Sequence, residues 1–239
     1  MYMRNFAVRK PIVFELMLIV ISFVLTVVAS IPFQVFYFPN EFSMALARIV
    51  VGCLLFVIFF YCFRKDRQFS SFPIILPGLL FVIWNIVNYL MTGGQINAPD
   101  LEMIIMAAAP AIFEEVLFRE IFICHLKENG MKPLMIVLVS ATVFALIHLT
   151  NAVNGKMLQT LVQVAYSFVI GLVLGAVYTR TDDLFTLIIL HGAIDLSSRI
   201  FVSNASTPIH VLILFAVLLI FETAYALWLT NKDQAAVDH

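Results

Sequence analysis

Hydrophobic residues in this chain come in long unbroken runs rather than in amphipathic stripes. Eight such runs occupy roughly 11–31, 44–63, 72–91, 101–126, 133–150, 158–179, 184–202 and 208–230. Each is close to the ~20 residues that an α-helix needs to cross the hydrocarbon core of a bilayer. The runs lack the apolar–polar alternation of membrane barrel strands. The pattern therefore predicts an all-α, polytopic membrane protein of about eight transmembrane helices. Linkers are short, with no internal repeat or low-complexity tract, so residues 1–239 are read as a single transmembrane domain.

Composition sharpens that picture. The chain is 62% hydrophobic and only 12% charged, with a mean hydropathy of +1.02. Soluble domains run at roughly 45–50% apolar and about 25% charged. Net charge is −1, and no basic tract suggests nucleic acid as a partner. The three cysteines, Cys53, Cys62 and Cys124, fall in apolar runs without metal-type spacing, and read as small packing residues. The N-terminal run resembles a signal peptide at first sight, but its length and the spans that follow make it an uncleaved first helix.

The basic residues divide unequally between the two ends of the spans. Arg4, Arg9, Lys10, Arg64, Lys65, Arg67, Lys127, Lys132, Arg180 and Lys232 share one side if the spans alternate. The other side has Lys156, with Arg48 and Arg199 near span ends. The positive-inside rule then puts both termini in the cytoplasm, in what is expected to be a bacterial plasma membrane.

Charge inside the spans is the feature that calls for a function, since a charged group in lipid costs a few kcal/mol or more. Span four reads APAIFEEVLFREIF. Its Glu115 and Arg119 are spaced i,i+4 and share a helix face. Glu114 is rotated about 100° from Glu115 and points to a different neighbour. Span five carries His148 four residues after Phe144, and span seven carries His191 and Asp195, again i,i+4. At 1.5 Å per residue Glu114 and His148 lie roughly 20 and 22 Å from the same membrane face, whereas His191 lies at roughly 10 Å. A tilted span or a dipping segment is needed to bring His191 to the others.

Each group has a plainer reading. A lone intramembrane histidine is usually a hydrogen-bonded packing residue, and a Glu–Arg pair is usually structural. His125 and His210, near span ends, are read that way, and Trp84, Asn85, Glu15 and Glu222 are read as interface anchors or snorkelling groups. Glu114, His148, His191 and Asp195 together are harder to dismiss. A carboxylate beside an imidazole activates water as a general base, and further polar groups stabilise an oxyanion. One glutamate and two histidines also match a catalytic zinc ligand set. Both schemes lead to water attack on a carbonyl, and so to peptide-bond hydrolysis within the membrane.

Three motifs in order, EEVLFR (114–119), FALIH (144–148) and HGAID (191–195), resemble the CPBP family. That family comprises CAAX prenyl proteases and bacteriocin-processing enzymes and is also called Abi. The resemblance covers about 101–200, within the motif-bearing helices of 101–202. It implies an intramembrane endopeptidase with a water-filled site reached from the cytoplasm, acting on a membrane-associated protein or peptide in CAAX-type, bacteriocin or pheromone processing. It casts Glu114 as the water-activating base with His148 assisting, and puts His191 and Asp195 in oxyanion-stabilising positions. Glu115 and Arg119 would orient the site. The family pattern often has Asn where this chain has Asp195. No cofactor is expected, with zinc at the Glu/His site left open. The competing functions are a non-enzymatic bacteriocin self-immunity or membrane scaffold protein, and a proton-coupled transporter built on a Glu/His relay.

Overall fold

A computed structural model describes residues 10–36, 38–62, 75–154, 157–203 and 208–237. Arg4, Arg9, Arg64, Lys65, Arg67, Lys156 and the side chain of Cys62 lie outside the described residues. The chain forms α1 (Pro11–Val35), α2 (Asn40–Cys62), α3 (Leu79–Thr92), β1 (Gly94–Ile96) and α4 (Leu101–Glu115). A π-helical stretch (Val116–Ile123) carries α4 directly into α5 (Cys124–Glu128). There follow α6 (Pro133–Ile147), a 3₁₀ segment (His148–Asn154), α7 (Met157–Thr181), α8 (Leu184–Ile200), β2 (Phe201–Ser203) and α9 (Ile209–Val237).

The protein is an all-α polytopic membrane protein. Among the described residues five helices are long and apolar enough to cross a membrane, and α3 is a shorter apolar helix. The expected spans at 101–126 and 184–202 do form helices, but one is charged and interrupted by the π segment and the other has 17 residues. A feature that hydropathy did not suggest is a two-stranded antiparallel ribbon, with Gly94 opposite Ser203 and Ile96 opposite Phe201. Gly93, at φ 71°, ends α3 in the left-handed conformation that glycine adopts without strain, and opens the ribbon.

Burial along α1 shows how lipid inverts the usual pattern. Its buried positions are Glu15, Ile19, Ser22, Thr26 and Ser30, while Val20, Val24, Val27 and Val28 face outward. Without a hydrophobic drive between helices, small and weakly polar residues take the contacts. Their hydroxyls are satisfied within the helix: Ser22 donates to Leu18 O (2.8 Å) and Thr26 to Ser22 O (2.9 Å). Close approach is also set by glycine. A Cβ at Gly171 would stand 3.0 Å from Ala141 Cα, so α6 and α7 pack backbone to backbone there.

Two ends of the bundle can be distinguished. At the terminal end Glu15 of α1 accepts from His125 of α5, and Lys127 reaches Thr179 O and Asp182, each at 2.9 Å. At the ribbon end β1 pairs with β2, Asn97 N–H donates to Ile200 O (3.0 Å), and Asn151 donates to Gln163 (2.9 Å). Two of the residues read as interface groups are thereby corrected. Glu15 is fully buried as the partner of His125. Glu222 is likewise buried, with neither carboxylate oxygen hydrogen-bonded among the described residues. Both face the bundle, because a carboxylate within a span avoids contact with lipid.

Candidate active site

The charged span is held in place by its surroundings. Asp100 caps α4 by accepting from Met103 N (2.7 Å), which fixes the helix start. From Glu115 onward the helix is walled in, and every residue of the π stretch is buried. A π segment inserts wide turns into an α-helix and is often found at functional sites. Wide turns also advance less per residue, which shortens the axial distance from Lys127 back to Glu115. This contributes to closing the depth gap that the sequence left at His191.

The structure brings His191 to the glutamates. Its Nδ1 lies 2.7 Å from Glu115 Oε1, and its Nε2 lies 3.9 Å from Glu114 Oε2 and 4.0 Å from Asp195 Oδ2. A carboxylate only accepts, so Nδ1–H donates to Glu115 and Nε2 is left facing the other two acids. The second oxygen of Glu115 is 3.2 Å from Arg119 Nε, with both side chains at 0% exposure. Glu115 is thus a bridge between a guanidinium and an imidazole, where spacing alone suggested only the Arg119 pair. Glu115 therefore meets the imidazole at Nδ1, whereas Asp195, four residues along the same helix as His191, stands nearer Nε2.

Phe144 is the hub beneath these groups. The Arg119 guanidinium lies over its ring, 4.7 Å from the centroid. His148 and His191 meet the same ring edge-on at 5.2 and 6.0 Å. Cation–π contact of this kind is worth about 2 kcal/mol or more when desolvated. His148 begins the 3₁₀ segment, and its Nδ1–H donates to Phe144 O (3.0 Å). Its Nε2 is therefore left for other partners.

Glu114, His148, His191 and Asp195 line one cavity of about 640 Å³, whereas Glu115 and Arg119 stand behind it. Arg119 Nη1 and Nη2 have no hydrogen-bond partner among the described residues, so the aromatic face and the Glu115 pair hold the charge. Sequence reasoning missed several cavity residues. Trp84 and Asn85 were read as interface groups, yet both line the cavity. Asn85 donates to Ile194 O (3.2 Å) and Ser197 Oγ (2.8 Å) of α8, next to Asp195. Trp84 stacks on Phe215 with centroids 4.8 Å apart. The available signal was an amide in the middle of an apolar run, which needs a polar partner in lipid. Tyr166, Arg48 and Arg199 also line the cavity, with no local pattern to single them out. Glu120, in the same buried stretch, accepts from Tyr178 OH (2.8 Å) and does not line the cavity.

Among the described residues no group of three or more His, Cys, Asp or Glu side chains is arranged to hold a metal ion. What the site offers is a largely buried carboxylate, Glu114, 3.9 Å from the His191 imidazole, in a cavity that a second imidazole, His148, also lines.

These helices carry the signature of a membrane peptidase family. Residues 96–197 match the family model described as Type II CAAX prenyl endopeptidase Rce1-like. The match covers the motif-bearing helices, less than half of the chain, and indicates a membrane protease, that is, a peptide hydrolase. Neither the curated proteins nor the solved structures gave a match.

Removing either member of the Glu115–Arg119 pair strands a fully buried charge. Arg119→Ala and Glu115→Gln should each destabilise the protein by about 3–5 kcal/mol. Thermal unfolding in detergent should show the loss. A variant with normal stability and only reduced activity would contradict the structural role assigned to the pair.

Proposed function

We propose that the protein is an intramembrane endopeptidase that hydrolyses a peptide bond of a membrane-associated protein or peptide by direct attack of water. The observation that carries this reading is His191 held at Nδ1 by Glu115, with Nε2 and the Glu114 carboxylate facing each other across 3.9 Å in one cavity. Bacterial processing of exported peptides and CAAX-type trimming are both compatible with such a site.

In this mechanism Glu114 takes a proton from water as the oxygen adds to the scissile carbonyl carbon. The carbonyl π electrons move onto oxygen, and the oxyanion accepts hydrogen bonds from the imidazolium Nε2–H of His191 and from His148. Glu115 supports the positive imidazole in the manner of the acid in a catalytic triad. Asp195, through its carboxyl O–H, supplies a further donor at the place where the family often has an amide. Collapse of the intermediate breaks the C–N bond, and the proton held by Glu114 passes to the leaving amine. One water is consumed, giving a carboxylate and an amine.

We further propose that no metal takes part. The Nδ1 of His191 is committed to Glu115, and among the described residues the side chains around it are not arranged as a ligand set. Activity of the purified protein should survive strong chelators. Loss on chelation with recovery on adding zinc would overturn this.

Glu114→Gln should lower turnover about 10²–10⁴-fold through loss of the general base alone, with unfolding temperature unchanged. Asp195→Asn, which keeps a donor, should retain most activity. Near-normal turnover in Glu114→Gln would refute the assignment of the base. Severe loss in Asp195→Asn at every pH would show that its carboxylate, not a hydrogen-bond donor, is required. A protein that only binds its partner would show no cleavage for either variant to alter.

A further inference from the structure

The cavity is lined mainly from α3, α7 and α8, the end of α6 with its 3₁₀ extension and the start of α9, joined by Phe23 of α1, Arg48 of α2 and Pro110 and Glu114 of α4. The polar members nearest the surface are Asn88, Thr150, Asn151, Gln163, Ser198 and Arg199, of which Thr150, Asn151, Ser198 and Arg199 are exposed. Towards the terminal end the site is closed. Leu117, Phe118, Ile123, Leu126, Ala176 and Leu187 are each at 0% exposure, between the Glu115–His191 contact and the Lys127–Asp182 contact. Water and a polar peptide backbone therefore have a path from the ribbon end and an apolar plug at the other.

The basic residues give that geometry a direction. Among the described residues Lys10, Lys127, Lys132, Arg180 and Lys232 lie at the terminal end, and in the sequence Arg4, Arg9, Arg64, Lys65 and Arg67 flank the same ends of the predicted spans. The opposite ends have three: Arg48 and Arg199 among the described residues, and Lys156 in the sequence. Two of those three, Arg48 and Arg199, line the cavity and so have a reason to be there other than topology. An excess of Lys and Arg flanking the spans marks the cytoplasmic side. Cytoplasmic termini and access from the cytoplasm thus cannot both hold for this cavity.

We propose that the cavity opens to the extracytoplasmic side, and that its substrate is a membrane-tethered polypeptide segment presented there after export. This rests on the peptide-hydrolase reading of the site. The reaction that supplies the substrate is then translocation of a polypeptide across the membrane, and a lipid-modified tail confined to the cytoplasm is not the natural substrate.

Two measurements on the full-length protein in intact cells test this. In the first, Ser198→Cys at the mouth and Glu128→Cys at the terminal end are treated with a charged, membrane-impermeant thiol reagent, with the unsubstituted chain as the blank for its native cysteines. Ser198→Cys should be modified in intact cells and Glu128→Cys only after the cells are opened. The reverse order overturns the proposal. In the second, the cut sites in the cell's own membrane proteins are compared between wild type and Glu114→Gln by mass spectrometry of new chain ends. Sites lost in the variant should lie on extracytoplasmic segments, and sites confined to cytoplasmic segments overturn the proposal. If no site differs while Ser198→Cys is labelled from outside, the direction of access stands and the peptidase reading falls.

Discussion

The site depends on one buried carboxylate. Glu115 has no solvent exposure, and its two oxygens serve two cations from different helices, Arg119 at 3.2 Å and His191 at 2.7 Å. Taking an ion into a low-dielectric interior costs several kcal/mol, which is recovered only with good geometry and further hydrogen bonds. That requirement ties the π segment to α8, and with it sets where the imidazole points. Arg119 in turn rests on Phe144, whose carbonyl accepts from His148. A single ion pair thus reaches all three motif-bearing helices.

With the charge on Glu115 balanced in this way, Glu114 on the neighbouring position is released from structural duty. Adjacent residues on a helix point about 100° apart, so one acid faces the protein and the other faces the cavity. The middle of span four carries four charged residues for this reason: Glu115 and Arg119 hold the site, Glu120 accepts from Tyr178, and Glu114 is proposed to do the chemistry. Polar residues such as Asn151 and Ser198 line the cavity where it nears the surface, and fully buried apolar residues such as Leu117 and Leu187 pack between the site and the terminal end.

Much of this was legible in the sequence. Continuous apolar runs gave the helical membrane class, and i,i+4 spacing gave the Glu115–Arg119 pair, because both depend only on local periodicity. The contact between His191 and Glu115 was not legible. It joins residues 76 apart, and simple rise-per-residue reckoning left a depth gap between them that the π stretch of the glutamates' own helix, invisible to hydropathy, narrows. Glu15, Glu222 and Asn85 were read as surface anchors for a similar reason: position along a span says nothing about which way a side chain faces. Their partners, His125 for Glu15 and α8 for Asn85, come from other helices.

The central claim is that Glu115 fixes His191 with a proton on Nδ1, leaving Nε2 for chemistry. Nitrogen-15 NMR of the histidine-labelled protein, with His191→Gln to assign the signal, tests it directly. The account predicts that Nδ1 of His191 stays protonated at every pH at which the protein is folded, and that only Nε2 titrates. A neutral form carrying its proton on Nε2, with a bare Nδ1, would contradict it.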